Sequence, residues 1–257
     1  MRDASTEFTL SEANVLSMTI LGLMPFFILG TLLLLAFLAW ATWRTAQALR
    51  QMTLDFNLLL LPAENLMRLG MIVVCVLLAR VSGQAYSQFG WQSLDLSRDL
   101  LAGCFVGIVV ALMVPPLTRW AIARFGAAIY SPIVVTSILP RNRREWFFVP
   151  LALVPAVLLE ELLFRSLLLG GFGSFAPPIL LAFVWSILFG ALHLPQGALG
   201  IVVAAALGLL LSFLFLATQS LIAPTIAHYI INLLQLVWAS RDKSFLERWS
   251  ADTSSHL

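Results

Sequence analysis

Charged residues are scarce in this sequence of 257 residues. Asp, Glu, Lys and Arg together make up 11% of the chain, hydrophobic residues make up 60%, and the mean hydropathy is +0.95. A soluble globular domain carries about 25% charged residues. The composition therefore excludes a soluble globular domain and indicates a polytopic membrane protein. The formal net charge of +2 is too small to suggest nucleic-acid binding. The partner that the composition predicts is the lipid bilayer.

Cysteine is almost absent as well. The two cysteines, Cys75 and Cys104, both lie in apolar runs, and we expect them to be small buried hydrophobic residues. They do not suggest a disulfide framework or a metal cluster. The N-terminus lacks a basic region, and the apolar run that follows is too long for the core of a signal peptide. We therefore expect that run to be retained as the first membrane span.

Long hydrophobic runs divide the chain into about seven predicted spans, because a helix of about 20 residues crosses a bilayer. The predicted fold is an all-α, polytopic transmembrane helix bundle. Its spans lie within 12–44, around 69–79, and at 100–118, 146–169, 177–193, 198–217 and 221–239. Gly103 and Gly107 predict close helix packing in the third span, and Glu64 and Arg68, beside the second, are spaced to pair. The arginine-rich segment 119–145 contains Pro132 and Pro140, and we expect it to be interfacial or re-entrant.

The arginines predict the orientation of the bundle. Cytoplasmic loops of membrane proteins carry an excess of Lys and Arg. With the N-terminus outside and the C-terminus in the cytoplasm, most basic residues fall inside. These are Arg44, Arg50, Arg119, Arg124, Arg141, Arg143, Arg144, Arg241, Lys243 and Arg248, while Arg2, Arg80 and Arg98 fall outside.

Three charged residues occur together inside the fourth predicted span, in the stretch from Glu160 through Glu161 to Arg165. A charge at the bilayer centre costs roughly 2.5–3.5 kcal/mol on insertion scales, and such residues usually mark a functional site. Glu161 and Arg165 are four positions apart and can pair on one helix face. Glu160 is left without a local cation. The alternative is a buried ion pair that fixes helix packing.

Further polar residues occur in the fifth and seventh predicted spans. His193 ends the fifth, and His228 and Asn232 lie four positions apart in the seventh. Each has a structural alternative, as a histidine at a helix end or as a hydrogen-bonding partner of a neighbouring helix. Because polar groups avoid lipid, we expect these residues to face the Glu160 group across the bundle.

This set of side chains has the chemistry of a hydrolase. Glu160 can take a proton from water, His193 can hold that water, and His228 and Asn232 can donate hydrogen bonds to an oxyanion. No serine or cysteine is evidently paired with them, which favours direct attack by water. Alternatively, Glu160, His193 and His228 could ligate a divalent metal such as zinc, since two His and one Glu form a hydrolytic zinc set.

Three motifs, Glu160-Glu161-x-x-x-Arg165, Phe189-x-x-x-His193 and His228-x-x-x-Asn232, resemble those of the CPBP intramembrane proteases. This family includes the type II CAAX prenyl endopeptidases and the bacterial Abi-type proteins. The resemblance covers roughly 146–239 and implies a catalytic core at 146–240. The N-terminal spans and the arginine-rich segment would precede it at 1–145, and a cytoplasmic tail would follow at 241–257.

The resemblance also implies a function. The chain would be an intramembrane endopeptidase of a bacterial plasma membrane, with a site that faces the cytoplasm and a membrane-embedded or lipid-anchored peptide as substrate. Glu160 would be the catalytic base, His193 its partner on the water, and His228 with Asn232 the oxyanion site. Glu161 and Arg165 would support them. Two alternatives are a non-catalytic interaction or immunity protein, and a proton-coupled transporter in which Glu160 and the histidines form a relay.

Overall fold

The computed structural model describes residues 4–51 and 56–242, and all regular secondary structure in these ranges is helical. The predicted all-α fold is therefore confirmed. The helices are α1 (Ala4–Gln51), α2 (Pro62–Val81), α3 (Leu96–Phe125), α4 (Ile133–Ile138), α5 (Arg143–Glu161), a π-helix (Leu162–Gly171), α6 (Pro178–Ala191), α7 (Gly197–Thr218) and α8 (Ile222–Arg241), with 3₁₀ turns at Leu58–Leu60, Ala127–Ile129 and Leu194–Gln196. The predicted tail beyond Asp242 lies outside the described residues.

Six of these helical segments are long and apolar enough to cross a membrane: Leu23–Leu49, Pro62–Val81, Leu96–Phe125, Arg143–Gly171, Leu194–Thr218 and Ile222–Arg241. The seventh predicted span is present as α6, which has only 14 residues. At 1.5 Å per residue α6 rises about 21 Å, less than the roughly 30 Å of a hydrocarbon core. The C-terminal end of α6 therefore lies inside the bundle rather than at the membrane surface.

Helices α3 and α8 pack closely and run in the same direction. A methyl group added at Gly103 would lie 2.7 Å from the carbonyl oxygen of Ala223, and one at Gly107 would lie 2.9 Å from Cβ of Ile230. The predicted packing role of these glycines is thus confirmed. At the far end of the pair, Arg119 of α3 forms an ion pair with Asp242, just after α8. For α8 to run parallel to α3, the three helices between them, α5, α6 and α7, must each reverse direction. This arrangement is expected if α6 crosses from one end of the bundle to the other.

The third span is longer than predicted. Helix α3 continues through Arg119 and Arg124 to Phe125, because arginine is a good helix former and can extend its charged end out of the apolar region. Residues 126–142 hold only a 3₁₀ turn and α4, which has six residues, and α5 begins at Arg143. Neither the 3₁₀ turn nor α4 is long enough to span a membrane.

The centre of the bundle is the π-helix that continues α5. Nine of its ten residues are buried, and they pack against Phe27 of α1, Cys75 of α2 and Phe89 of the α2–α3 loop. The same loop is tied to the π-helix by hydrogen bonds from Trp91 Nε1 to Ser166 Oγ and from Ser166 Oγ to the carbonyl of Phe89, both at 2.8 Å. The segment that follows Glu161 is therefore fixed from several sides.

The outer surface of the bundle is apolar. Leu66, Leu101, Phe105 and Leu112 are each about 70% exposed, as expected for side chains that face lipid tails rather than water. Cys104 is exposed on this surface, whereas Cys75 is buried. The prediction that both cysteines are buried is wrong for Cys104, since its position on α3 points away from the packed glycine face.

Candidate active site

Glu161 and Arg165 form a buried ion pair at the junction of α5 and the π-helix. Arg165 Nη1 donates to Glu161 Oε1 at 3.0 Å, and the two side chains are 0–1% exposed. Arg165 Nη2 donates to the carbonyl of Gly208 on α7 at 3.1 Å, and the guanidinium lies 4.9 Å from the ring centre of Phe189 on α6. The predicted pairing is confirmed, and the pair joins three helices.

His228 connects this ion pair to Glu160. Its Nδ1 lies 2.7 Å from Glu161 Oε1, and its Nε2 lies 3.7 Å from Glu160 Oε2. Because a carboxylate can only accept, Nδ1–H donates the hydrogen bond to Glu161, which fixes the orientation of the ring. The sequence predicted that His228 faces the charged group, and the structure places it between the two glutamates.

Glu160 and Glu161 occupy different environments although they are neighbours in the chain. The Glu160 side chain is 33% exposed, whereas that of Glu161 is fully buried. Glu160 lines a cavity of about 400 Å³ inside the bundle, and Glu161 does not. The structure therefore separates one carboxylate that meets the cavity from one that is closed off by Arg165 and His228.

His193 enters the same cavity from the end of α6. Its Nδ1 lies 2.7 Å from the carbonyl of Phe189, so Nδ1 donates and Nε2 is left available. The ring of Phe189 lies 4.7 Å from that of His193 and 6.0 Å from that of His228, centre to centre. Because α6 is short, its end lies deep enough for His193 to share a cavity with Glu160, which lies far along α5.

The cavity brings together side chains from several helices. Glu160, His193, His228 and Asn232 all line it, so the structure collects the four residues predicted to be catalytic. Its other lining residues include Thr118, Tyr130 and Asp242, at the arginine-rich end of the bundle. Burial raises the pKa of Tyr130 above its ordinary value.

Two charged residues of α2 also line the cavity, and sequence reasoning did not place them in the site. Glu64 and Arg68 form the predicted pair, with Arg68 Nη2 at 3.3 Å from Glu64 Oε2. The sequence does show a charged pair beside a short apolar span. The position of this pair relative to α5 depends on tertiary packing, which the local sequence does not specify. Phe189, whose ring contacts Arg165 and both histidines, was recognised only as the start of a motif.

The residues do not form a ready metal site. Within residues 4–51 and 56–242, no group of three or more His, Cys, Asp and Glu side chains is close enough to hold a metal ion. One nitrogen of His228 faces Glu161, and one nitrogen of His193 faces a backbone carbonyl. The second nitrogen of each ring is not used in these contacts, so a metal held by Glu160, His193 and His228 stays a prediction, and the chemistry considered below uses side chains alone.

The fold defines an integral membrane protein, and its helix bundle contains a cavity in which a few polar side chains lie among mostly apolar ones. Residues 142–234, just over a third of the chain, match the model of the type II CAAX prenyl endopeptidase Rce1-like family. The match contains every residue of the three motifs and confirms the resemblance to CPBP family proteases. The matched family suggests CAAX-type intramembrane protease activity on a peptide substrate. Searches of curated proteins and of solved structures gave no match.

Proposed function

We propose that this protein is an intramembrane endopeptidase in which Glu160 activates water for attack on a peptide bond. The observation that carries the proposal is the difference between the two glutamates. Glu160 meets the cavity beside His228, whereas Glu161 is buried and holds the other nitrogen of the same ring. A general base must be able to contact water and substrate. A residue that only orients the ring of His228 does not need this access.

In the proposed reaction, Glu160 takes a proton from water as the water oxygen bonds to the carbonyl carbon of the substrate. His193 holds the water through Nε2. The carbonyl electrons move to oxygen, and this oxyanion accepts hydrogen bonds from Asn232 and His228. When the intermediate collapses, the C–N bond breaks and the leaving amine takes the proton from Glu160.

The buried pair has a supporting role in this proposal. Arg165 fixes the carboxylate of Glu161, and Glu161 fixes the ring of His228. In the protonated form of the ring, Nδ1–H donates to Glu161, and Nε2–H is left to donate to the oxyanion. A serine nucleophile is not supported, because Ser137, the serine among the described cavity residues, donates to the carbonyl of Val134 at 2.8 Å.

We further propose that the site opens towards the cytoplasm. The cavity extends to the bundle end where Thr118 and Asp242 lie, and this end carries Arg119, Arg141, Arg143 and Arg144. By the positive-inside rule such an end faces the cytoplasm. A membrane-associated peptide, including one of the CAAX type, would reach Glu160 from that side.

The test compares peptide termini in membranes that contain wild-type protein or Glu160→Gln, by mass spectrometry. Asp95→Asn is the matched control, because it replaces another carboxylate by an amide at an exposed helix N-cap, where Asn and Asp serve equally well. New termini with wild type and Asp95→Asn, but not with Glu160→Gln, would support the proposal. Identical termini for folded wild type and Glu160→Gln would overturn it and favour an interaction or transport role.

A further inference from the structure

The cavity contains a cation that the proposed mechanism does not use. Arg68 of α2 is the one Lys or Arg among the described residues that line it. It lies outside residues 142–234, the segment matched by the family model. A guanidinium inside an apolar bundle is costly unless it is paired, so its presence beside the catalytic groups calls for a role.

The pairing of Arg68 is incomplete. Its Nη2 has one hydrogen bond, to Glu64 Oε2 at 3.3 Å, which is long for a charged pair. Its Nη1 is buried and has no hydrogen-bond partner. One N–H donor group of the guanidinium is therefore unsatisfied, and arginine binds carboxylates best through two parallel N–H donors.

The position of Arg68 indicates where such a carboxylate would lie. Arg68 and Glu160 line the same cavity, and the charge of Arg68 interacts with those of both Glu64 and Glu160. The Asp and Glu residues of the cavity, Glu64, Glu160 and Asp242, would repel a bound anion. Arg68 therefore offers a substrate carboxylate a cationic partner in the cavity that Glu160 also lines.

We propose that Arg68 is a specificity-determining residue that binds a carboxylate of the substrate close to the scissile bond. Glu64 holds the guanidinium in place before the substrate arrives. The carboxylate is either the free C-terminus of the peptide or an acidic side chain near it. This inference rests on the proposed peptidase function, and it adds a contact from a helix outside the family-matched segment.

The experiment uses quenched-fluorescence peptides with a prenylated cysteine four residues from the end, the arrangement of a CAAX motif. One peptide ends in a free carboxylate, one in an amide, and one in an amide after a final aspartate. Hydrogen bonds to charged groups contribute about 1.5–3 kcal/mol, so wild type should have a KM about tenfold or more lower for a carboxylate peptide than for the amide. The third peptide assigns the source of the carboxylate.

Two substitutions of Arg68 test its role in substrate binding. Arg68→Met should remove the preference by raising KM for the carboxylate peptide, with little change in kcat, and Arg68→Lys should keep part of it. Equal KM values for all three peptides with wild type, or an unchanged preference in folded Arg68→Met, would overturn the proposal.

Measurements of peptide binding test the role of Arg68 independently of the proposed peptidase activity. Fluorescence anisotropy with Glu160→Gln protein in detergent measures peptide affinity without cleavage. A carboxylate preference that disappears in the Glu160→Gln, Arg68→Met double variant supports the role of Arg68 even if wild type cleaves none of the peptides. Cleavage by wild type without any carboxylate preference in binding would retain the peptidase and reject the role of Arg68.

Discussion

Glu160 and Glu161 differ by one position in the chain and by their whole surroundings in the structure. Glu161 has Arg165 at 3.0 Å and His228 at 2.7 Å, while Glu160 faces the cavity with His228 at 3.7 Å. Their substitutions should therefore fail in different ways, one in chemistry and one in stability.

For Glu160→Gln we expect a folded protein without cleavage. The loss of a general base lowers rates by about 10²–10⁴-fold, and no buried charge is left without a partner. Cleavage assays and thermal unfolding in detergent measure the two effects separately. A folded Glu160→Gln protein with wild-type cleavage would contradict the assignment of the base.

For Glu161→Gln we expect a lower stability. The substitution leaves the guanidinium of Arg165 buried without its carboxylate, and breaking a buried pair costs roughly 3–5 kcal/mol. The measurement is the midpoint of thermal unfolding, compared with Glu160→Gln and wild type. If Glu161→Gln were as stable as Glu160→Gln, the pair would not hold the helices together.

At this scale the sequence could predict contacts along a helix and the meeting of the polar residues of the three motifs, but not the contribution of α2 to their cavity. The spacing of Glu161 and Arg165, and of Glu64 and Arg68, follows from one helix turn, and both pairs are present. That Arg68 of α2 lies in the same cavity as Glu160 of α5 depends on how the two helices pack. Nothing in the local sequence specifies that arrangement.

Among the elements, the pair α3 and α8 shows how two glycines set a helix contact. Gly103 and Gly107 leave the backbone of α8 so close that an added methyl group would lie within 3.0 Å of its atoms. Gly70 of α2 has no atom within 4 Å of the same position. The two kinds of glycine provide a matched comparison.

Gly103→Ala should destabilise the protein by about 1–3 kcal/mol, the usual cost of overpacking. Gly70→Ala should leave stability unchanged or raise it by up to about 1 kcal/mol, since alanine favours helix more than glycine. Thermal unfolding of both variants in the same detergent checks the difference. Equal effects would show that the α3–α8 contact does not depend on close approach.

Hydropathy predicted the existence of the elements better than their ends or their geometry. The spans around the three motifs start and stop near the predicted turn residues, because uncharged runs and Gly or Pro breaks mark them clearly. Hydropathy did not predict the extension of α3 through Arg119 and Arg124, because these charged residues end the apolar run without ending the helix. The π-helix was missed because its Leu-rich sequence is equally suited to an α-helix.

For the whole molecule, the bundle has two distinct ends. One contains the α2–α3 loop, where Gly90 accepts from Leu221 N at 2.8 Å and Arg98 Nη2 donates to the carbonyl of Thr218 at 2.8 Å. The other contains the arginine-rich segment, where Asn57 donates to the carbonyl of Ile138 at 2.9 Å. The cavity extends to this second end, so the orientation of the protein decides which compartment supplies the substrate.

We expect the arginine-rich end to face the cytoplasm. Thr136 of α4 and Gln92 of the α2–α3 loop are both exposed and lie at opposite ends. In a protein whose native cysteines are replaced by alanine, a membrane-impermeant maleimide added outside intact cells should label Gln92→Cys and spare Thr136→Cys. The reverse pattern would invert the topology and place the opening of the site outside.

The short helix α6 has a consequence for how this protein would choose its cleavage position. His193 follows a helix of 14 residues, so its distance from the membrane surface is fixed by the length of α6 and not by any side chain that recognises sequence. In a peptide anchored in the same bilayer, the depth of each bond is set by its distance from the anchor. The protein would then cleave the bond that lies at the depth of His193 and Glu160. A thicker or thinner bilayer would move the cleavage position along the peptide.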